Sequence, residues 1–260
     1  MSLVATLRER GLVAVLDVEV GDALRSWGLA VKEGGIEVLA VPVSHPSVTE
    51  TVAELSDEAD LVVGITGVVA AEQVSVAVAA GVELVVSPIA DRDIIEAAKQ
   101  RGLTIVAGAT TPTEVAWAAS AGADLVSLHP IGFATRAEDY LASMLRTFPE
   151  LPLAVSGGVG VDNAPTFLAA GASAVFVDHG LFPEVGDPSA QEILTTRALA
   201  LVEVAADVLG RPARSSLAAH RAQKKPARGQ RPSRPPRRSS YPPGAIDIEI
   251  ETITDEEPLG

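Results

Sequence analysis

Short runs of Val, Ile and Leu recur along the first 180 residues, and each is followed by a stretch whose apolar residues return every three or four positions. The runs are Leu12–Asp17, Ile36–Val43, Asp60–Ile65, Glu83–Ser87, Leu103–Gly108, Asp124–His129, Leu153–Ser156 and Ala172–Asp178. They are bounded by Gly, Pro, Ser or Asp and lack polar alternation, which is the pattern of strands buried on both faces. Between them the spacing predicts amphipathic helices. In Asp91–Arg101, for example, Ile94, Ile95, Ala97 and Ala98 oppose Glu96, Lys99 and Gln100.

Helix boundaries are marked as well. Thr111-Pro112-Thr113-Glu114 places Pro in a first turn, and Asp162-Asn163-Ala164-Pro165 offers an Asp or Asn cap. Gly34-Gly35, Gly81, Gly102, Gly122 and Gly171 fall where a helix must stop before the next strand. A helical lead, Leu3–Arg10, precedes the first run, and a long helix from about Pro188 to Leu209 follows the last. Units of roughly 20–25 residues, repeated eight times, predict a closed (β/α)8 barrel over residues 1–210. The alternative is a doubly wound open sheet.

After Gly210 the pattern disappears. Residues 211–240 are rich in Arg, Lys, Pro, Ser and Gln, with Leu217 the one large apolar side chain, and are expected to be a disordered linker. Residues 241–260 differ again. Tyr241-Pro242-Pro243-Gly244 is a turn signal, and strict two-residue alternation follows it. Ile246, Ile248 and Ile250 lie on one face of an extended segment, with Asp247, Glu249 and Glu251 on the other. Residues 245–252 are therefore expected to form a short strand that docks on a protein partner or a neighbouring subunit by strand addition, with Ile246, Asp247, Ile248, Glu249 and Ile250 making the contact.

Charge divides the chain the same way. It carries 20 basic and 34 acidic residues; ten and six of these fall in 211–260, leaving 10 and 28 upstream, a net of −18. Arg211–Arg238 contributes +10 without an acid, and Ser239–Gly260 contributes −6 without a base. An acidic body repels nucleic acid, so such binding would fall to residues 211–238. There is no Cys, which excludes disulfides, thiolate metal sites and a cysteine nucleophile. No apolar run approaches the ~20 residues needed to cross a bilayer. The first residues lack the pattern of a secretory leader, so a cytoplasmic protein with no membrane contact is the expectation.

Candidate chemistry lies at the C-terminal ends of the predicted strands, where barrel enzymes hold their active groups. His45, His129 and His179 fall there, as do Asp17, Asp178, Thr66, Ser87, Ser127 and Ser156. Imidazoles and carboxylates together suit acid–base work or a divalent metal, but no helical His-x-x-x-His or comparable pair sets a metal geometry, and no cofactor motif is present. The same residues also suit a mouth filled with loop residues and no chemistry.

Residues about 11–182 resemble the 2-keto-3-deoxy-6-phosphogluconate (KDPG) / 4-hydroxy-2-oxoglutarate (KHG) aldolase family. The resemblance rests on ordered landmarks: Gly34-Gly35-Ile36, Val86-Ser87-Pro88, Gly108-Ala109-Thr110-Thr111-Pro112-Thr113-Glu114, Ser156-Gly157-Gly158-Val159 and Asp162-Asn163-Ala164. It implies a trimeric barrel that makes or breaks carbon–carbon bonds through a lysine Schiff base. Yet the family's lysine, in a K-F-F-P context, aligns with Ser127 of Ser127-Leu128-His129-Pro130, and its acid/base glutamate aligns with Ala40. The family arginine aligns with Ser44. The phosphate-binding G-G-S after strand eight reads Asp178-His179-Gly180, while Gly157 and Gly158 remain as potential donors to an anion.

A serine hydroxyl cannot form an iminium, so the resemblance implies a barrel that has lost this chemistry and serves as an oligomeric scaffold presenting its C-terminal segment. The alternative is a divergent carbon–carbon lyase or isomerase acting on a small 2-oxo acid or sugar phosphate, with His129, His179, Asp178, Asp17 or His45 as acid or base. Gly122–His129 also resembles the strand ending in His of the hexulose-phosphate synthase and decarboxylase group, but the D-x-K-x-x-D array of that group is missing.

Overall fold

The computed structural model of the chain describes residues 2–16, 23–57, 61–178 and 180–210. Strands β1 (Leu12–Val15), β2 (Val38–Pro42), β3 (Val62–Thr66), β4 (Leu84–Ser87), β5 (Thr104–Ala109), β6 (Leu125–Leu128), β7 (Leu153–Val155) and β8 (Val175–Val177) form one parallel sheet closed on itself. Closure is made by β1 against β8, where Leu12, Val13 and Ala14 pair with Val175, Phe176 and Val177. The barrel is thus the predicted one, and the open sheet is excluded by that pairing. Each predicted strand overlaps the observed one, which begins or ends up to three residues away.

The helices are α1 (Leu3–Arg10), α2 (Leu24–Glu33), α3 (Val48–Ser56), α4 (Val74–Ala80), α5 (Arg92–Gln100), α6 (Pro112–Ser120), α7 (Ala137–Thr147), α8 (Ala164–Ala169) and α9 (Ala190–Val208). Their ends follow the sequence signals. In α5, Asp91 caps the helix by accepting from the Ile94 N–H at 3.0 Å, and Ile94, Ile95 and Ala98 are buried. In α6, Thr111 and Glu114 form a reciprocal capping box with Pro112 at the first position. One cap departs from expectation. The Asn163 side chain does not cap α8; its Oδ1 turns back to accept from the Gly160 N–H at 2.8 Å.

Side-chain alternation divides the core in two. Val13, Val38, Ala40, Leu84, Val86, Val106, Leu125, Ala154, Ala174 and Phe176 fill the barrel interior, and Leu7 of α1 plugs it from below. A larger layer lies between strands and helices. Helix α9 completes that layer with Ala190, Leu194, Ala198, Leu201 and Ala205 buried, and Thr195 Oγ1 donates to the Ala30 carbonyl of α2 at 3.1 Å. Among the described residues no helix is long and apolar enough to cross a membrane. Residues 211–260, including the expected docking strand, lie outside the described residues.

The turn after β4 sets the shape of the mouth. A Cβ on Gly108 would lie 2.3 Å from the Pro88 carbonyl oxygen and 2.4 Å from its carbon, so the backbone after β4 closes directly over β5. Backbone cannot rotate away as a side chain can. Gly108→Ala is therefore expected to destabilise the barrel by roughly 2–4 kcal/mol, measured by urea unfolding, because overpacking here displaces main chain.

Candidate functional site

The C-terminal ends of β5 to β8 carry the polar cluster. In β6, Leu125 points inward, so Ser127, two residues on, does also. It is 1% exposed. Its Oγ lies 2.7 Å from the Oγ of Ser156, the first residue beyond β7, and that oxygen lies 3.0 Å from His129 Nδ1. A continuous hydrogen-bonded chain, Ser127–Ser156–His129, thus runs from the barrel interior to the mouth. Register produces it. Ser127 pairs with Ala154 across β6 and β7, and the Ser156 N–H donates to the Leu128 carbonyl at 3.1 Å, which sets Ser156 beside Ser127.

His129 is held from several sides. Its N–H donates to the Ala109 carbonyl at 3.0 Å, and its carbonyl accepts from Thr110 Oγ1 at 2.6 Å. Tyr140 of α7 donates its hydroxyl to the Thr110 carbonyl. Glu114 accepts from the Thr110 and Thr111 N–H groups at 2.8 and 2.7 Å, and these bonds hold its carboxyl below the usual carboxylate range. The His129–Pro130 peptide is cis. Beneath the ring lies Gly157 at φ +75°, where a Cβ would stand 2.8 Å from both His129 Cε1 and Nδ1. The imidazole therefore packs on bare backbone, a contact that a side chain at 157 would block.

Burial lowers the His129 pKa below its ordinary value, and the negative charge of Asp178 opposes that shift. A neutral imidazole at pH 7 can take a proton, which is the requirement for a general base.

Asp178, just after β8, is anchored to the loop after β7. Its Oδ2 accepts from the Gly158 N–H at 3.2 Å, its Oδ1 accepts from the Val159 N–H at 3.1 Å, and its own N–H donates to the Val159 carbonyl at 3.0 Å. The Gly158 N–H, named from sequence as a donor to an anion, thus already has a carboxylate partner. His45 remains within its own turn, where Nδ1 accepts from the Ser47 N–H at 3.2 Å. Asp17 and His179 lie outside the described residues. Among the described residues, no three His, Cys, Asp or Glu come together as a metal site.

Ala40, on β2, also faces the interior and is fully buried. Lys32 is in the last turn of α2. Lys99 pairs with Asp124 at 2.6 Å, and Asp124 immediately precedes β6. Both lysines therefore belong to the base of the barrel, opposite the mouth. Thr110 and Tyr140, the supports behind His129, were not singled out from sequence. Thr110 was visible as part of a motif, whereas Tyr140 carries no local signal of where its hydroxyl goes.

A parallel eight-stranded barrel with its polar groups gathered at the C-terminal strand ends is the architecture of a large group of enzymes. Within that group, the sequence pattern of KDPG and KHG aldolases matches residues 3–189, and the chain belongs to that family. It is 25% identical over 175 residues to the 2-dehydro-3-deoxy-6-phosphogalactonate aldolase of Escherichia coli K12, covering 66% of this chain and 84% of that protein. Among solved structures, the KDPG aldolase of Zymomonas mobilis overlaps with a TM-score of 0.68 at 23% identity, covering 76% of this chain and 95% of that one. The KDPG aldolase of Legionella pneumophila, solved with pyruvate captured as a covalent carbinolamine, overlaps at 0.66 and 19% identity, covering 77% and 98%. A 3-hexulose-6-phosphate synthase overlaps at 0.54 and 17% identity, covering 72% and 99%, a likeness of fold.

The buried imidazole has a consequence for pH. Unfolding restores the ordinary His129 pKa of 6.5, so below that value the unfolded chain binds the proton more readily. The contribution is intact above about pH 6.5 and is lost as pH falls toward the lower folded value. Unfolding midpoints measured across pH 4.5–8, a window around the reference His pKa of about 6.5, are expected to fall more steeply on the acid side for the native chain than for His129→Asn.

Proposed function

We propose that this protein is an aldolase-family barrel that no longer works through a lysine Schiff base and acts as an oligomeric platform carrying its C-terminal segment. The observation behind this reading is the inward position at 127. It holds a serine engaged with Ser156, while the described lysines, Lys32 and Lys99, belong to the opposite end of the barrel. Lys224 and Lys225 fall beyond the region matched to the family. An amine must attack the substrate ketone to give a carbinolamine like that captured in the Legionella relative, which then loses water to an iminium; a hydroxyl can add only to a hemiketal, which has no nitrogen to form one. Ala40, in place of the family glutamate, removes a proton relay as well.

Exposed apolar side chains support an oligomer, taken here as a cytoplasmic homotrimer. Val69, Ile89, Trp117 and Phe133 follow β3, β4, β5 and β6 in turn, with Trp117 63% and Phe133 58% exposed. Large apolar groups on consecutive units are the kind of surface that association covers. Three copies of residues 245–252 on one trimer would raise the effective concentration for a multivalent protein partner or a neighbouring assembly. The basic residues 211–238 would act as the spacer.

A second reading is favoured by one observation, the Ser127–Ser156–His129 chain with its neutral imidazole. In that reading the barrel is a divergent lyase or isomerase for a small 2-oxo acid. His129 would move the proton and the two serines would position the substrate oxygen.

Borohydride treatment in the presence of pyruvate is expected to leave the mass of the protein unchanged. The same preparation is then screened for turnover of small 2-oxo acids, with His129→Ala as control. No turnover supports the platform, and turnover abolished by His129→Ala supports the divergent enzyme. Removing residues 211–260 is expected to leave a folded trimer of the shortened chain by sedimentation while abolishing any larger assembly. A truncated chain that still forms the same larger assemblies would count against the role given to the tail.

A further inference from the structure

Three consecutive backbone N–H groups after β7 point toward side-chain oxygens of the chain itself. Gly158 and Val159 donate to the two carboxylate oxygens of Asp178, and Gly160 donates to Asn163 Oδ1. Gly157 and Gly158 both have positive φ, 75° and 84°, so successive amides turn toward one side of the loop. Such a concave run of amides is a general anion-binding arrangement, normally open to a ligand. Here it closes on a carboxylate that the fold delivers from the neighbouring strand end. The placement is firm, because the Asp178 N–H also bonds the Val159 carbonyl at 3.0 Å.

We propose that Asp178 is the resident anion of this cup and the residue that sets ligand specificity at the barrel mouth. Its carboxylate takes the Gly158 and Val159 donors and adds a negative charge where a phosphate would sit. A phosphorylated ligand would have to displace the carboxylate and then tolerate it nearby. The cup therefore discriminates against phosphate esters. Relatives such as the 6-phosphogalactonate aldolase are named for phosphorylated substrates, so this residue marks a difference in ligand class within the family. The inference concerns the cup alone and holds whether the barrel is a platform or a divergent enzyme.

The probe is inorganic phosphate, titrated calorimetrically into the full-length protein and into Asp178→Ser, which removes the carboxylate, and Asp178→Asn, which keeps the side-chain shape without the charge. The native chain is expected to show no phosphate binding in the millimolar range, and Asp178→Ser to bind at least about tenfold more tightly, one decade being about 1.4 kcal/mol. Hydrogen exchange should then show phosphate-dependent protection of the segment holding Gly158–Gly160. Equal phosphate affinity in native and Asp178→Ser protein would overturn the proposal, as would protection confined to another segment. Where Asp178→Ser does not fold, Asp178→Asn decides. Binding tighter than native supports the charge as the barrier, and binding equal to native sinks it.

Discussion

Closing a parallel sheet into a barrel dictates where every strand side chain goes. Residues two apart share a face, so the interior takes Leu125 and Ser127 from β6, Val38 and Ala40 from β2, and Val106 and Gly108 from β5. A residue at such a position cannot choose another environment without breaking the ladder. Whatever chemistry the mouth performs is therefore limited to the groups that these positions and the turns just beyond them hold. At 127 and 40 they are a small hydroxyl and a methyl, both in a packed interior. The hydroxyl is satisfied by Ser156, which is how a buried polar group is accommodated without a ligand.

The framework was legible because each of its determinants is local. Apolar runs, helical spacing, Pro112 in a first turn and glycines at helix ends each act within a few residues, and the structure agrees on each. Asn163 is instructive because its type signalled a cap correctly in chemistry but not in direction. Its oxygen satisfies the Gly160 N–H instead, a choice made by the loop's own unpaired donors. The site was legible only in part. Sequence order located Ser127, His129, Ser156 and Asp178 at one end of the barrel, but neither the Ser127–Ser156–His129 chain nor the two Asp178 bonds could be read from it. Those depend on the stagger between β6 and β7 and on the approach of the β8 end to the β7 loop, which are set by closure of the whole sheet. Tyr140 escaped for the same reason, since its target, the Thr110 carbonyl, belongs to another element 30 residues away.

Two opposing influences act on the imidazole at the mouth. Burial pushes His129 toward the neutral form, while Asp178 pulls it toward the cation. Burial is the larger of the two influences, and Asp178 is itself engaged by two backbone N–H groups. The hydroxyl chain accommodates either proton arrangement, since a bare Nδ1 accepts from Ser156 and a protonated Nδ1 donates to it. The amides after β7 and the His129 imidazole are thus linked through one side chain, Asp178, which accepts from the first and acts on the second by its charge.

The packing of the mouth bears on the proposed absence of Schiff-base chemistry. Substitution of one catalytic lysine leaves an enzyme with a defect that reversion repairs. Here Ser127 is bonded into a buried pair, Ala40 is packed in the interior, and Asp178 has bonded the donors of the loop after β7. Each residue satisfies its own surroundings; Ser127 lies on β6, Ala40 on β2 and Asp178 just after β8. A lysine returned to position 127 would break the Ser127–Ser156 bond, leave Ser156 with His129 as its partner, and bring a cation into an interior that holds no carboxylate at position 40. Packing and hydrogen bonding satisfy all three positions, so the mouth is a self-consistent arrangement of small and polar groups.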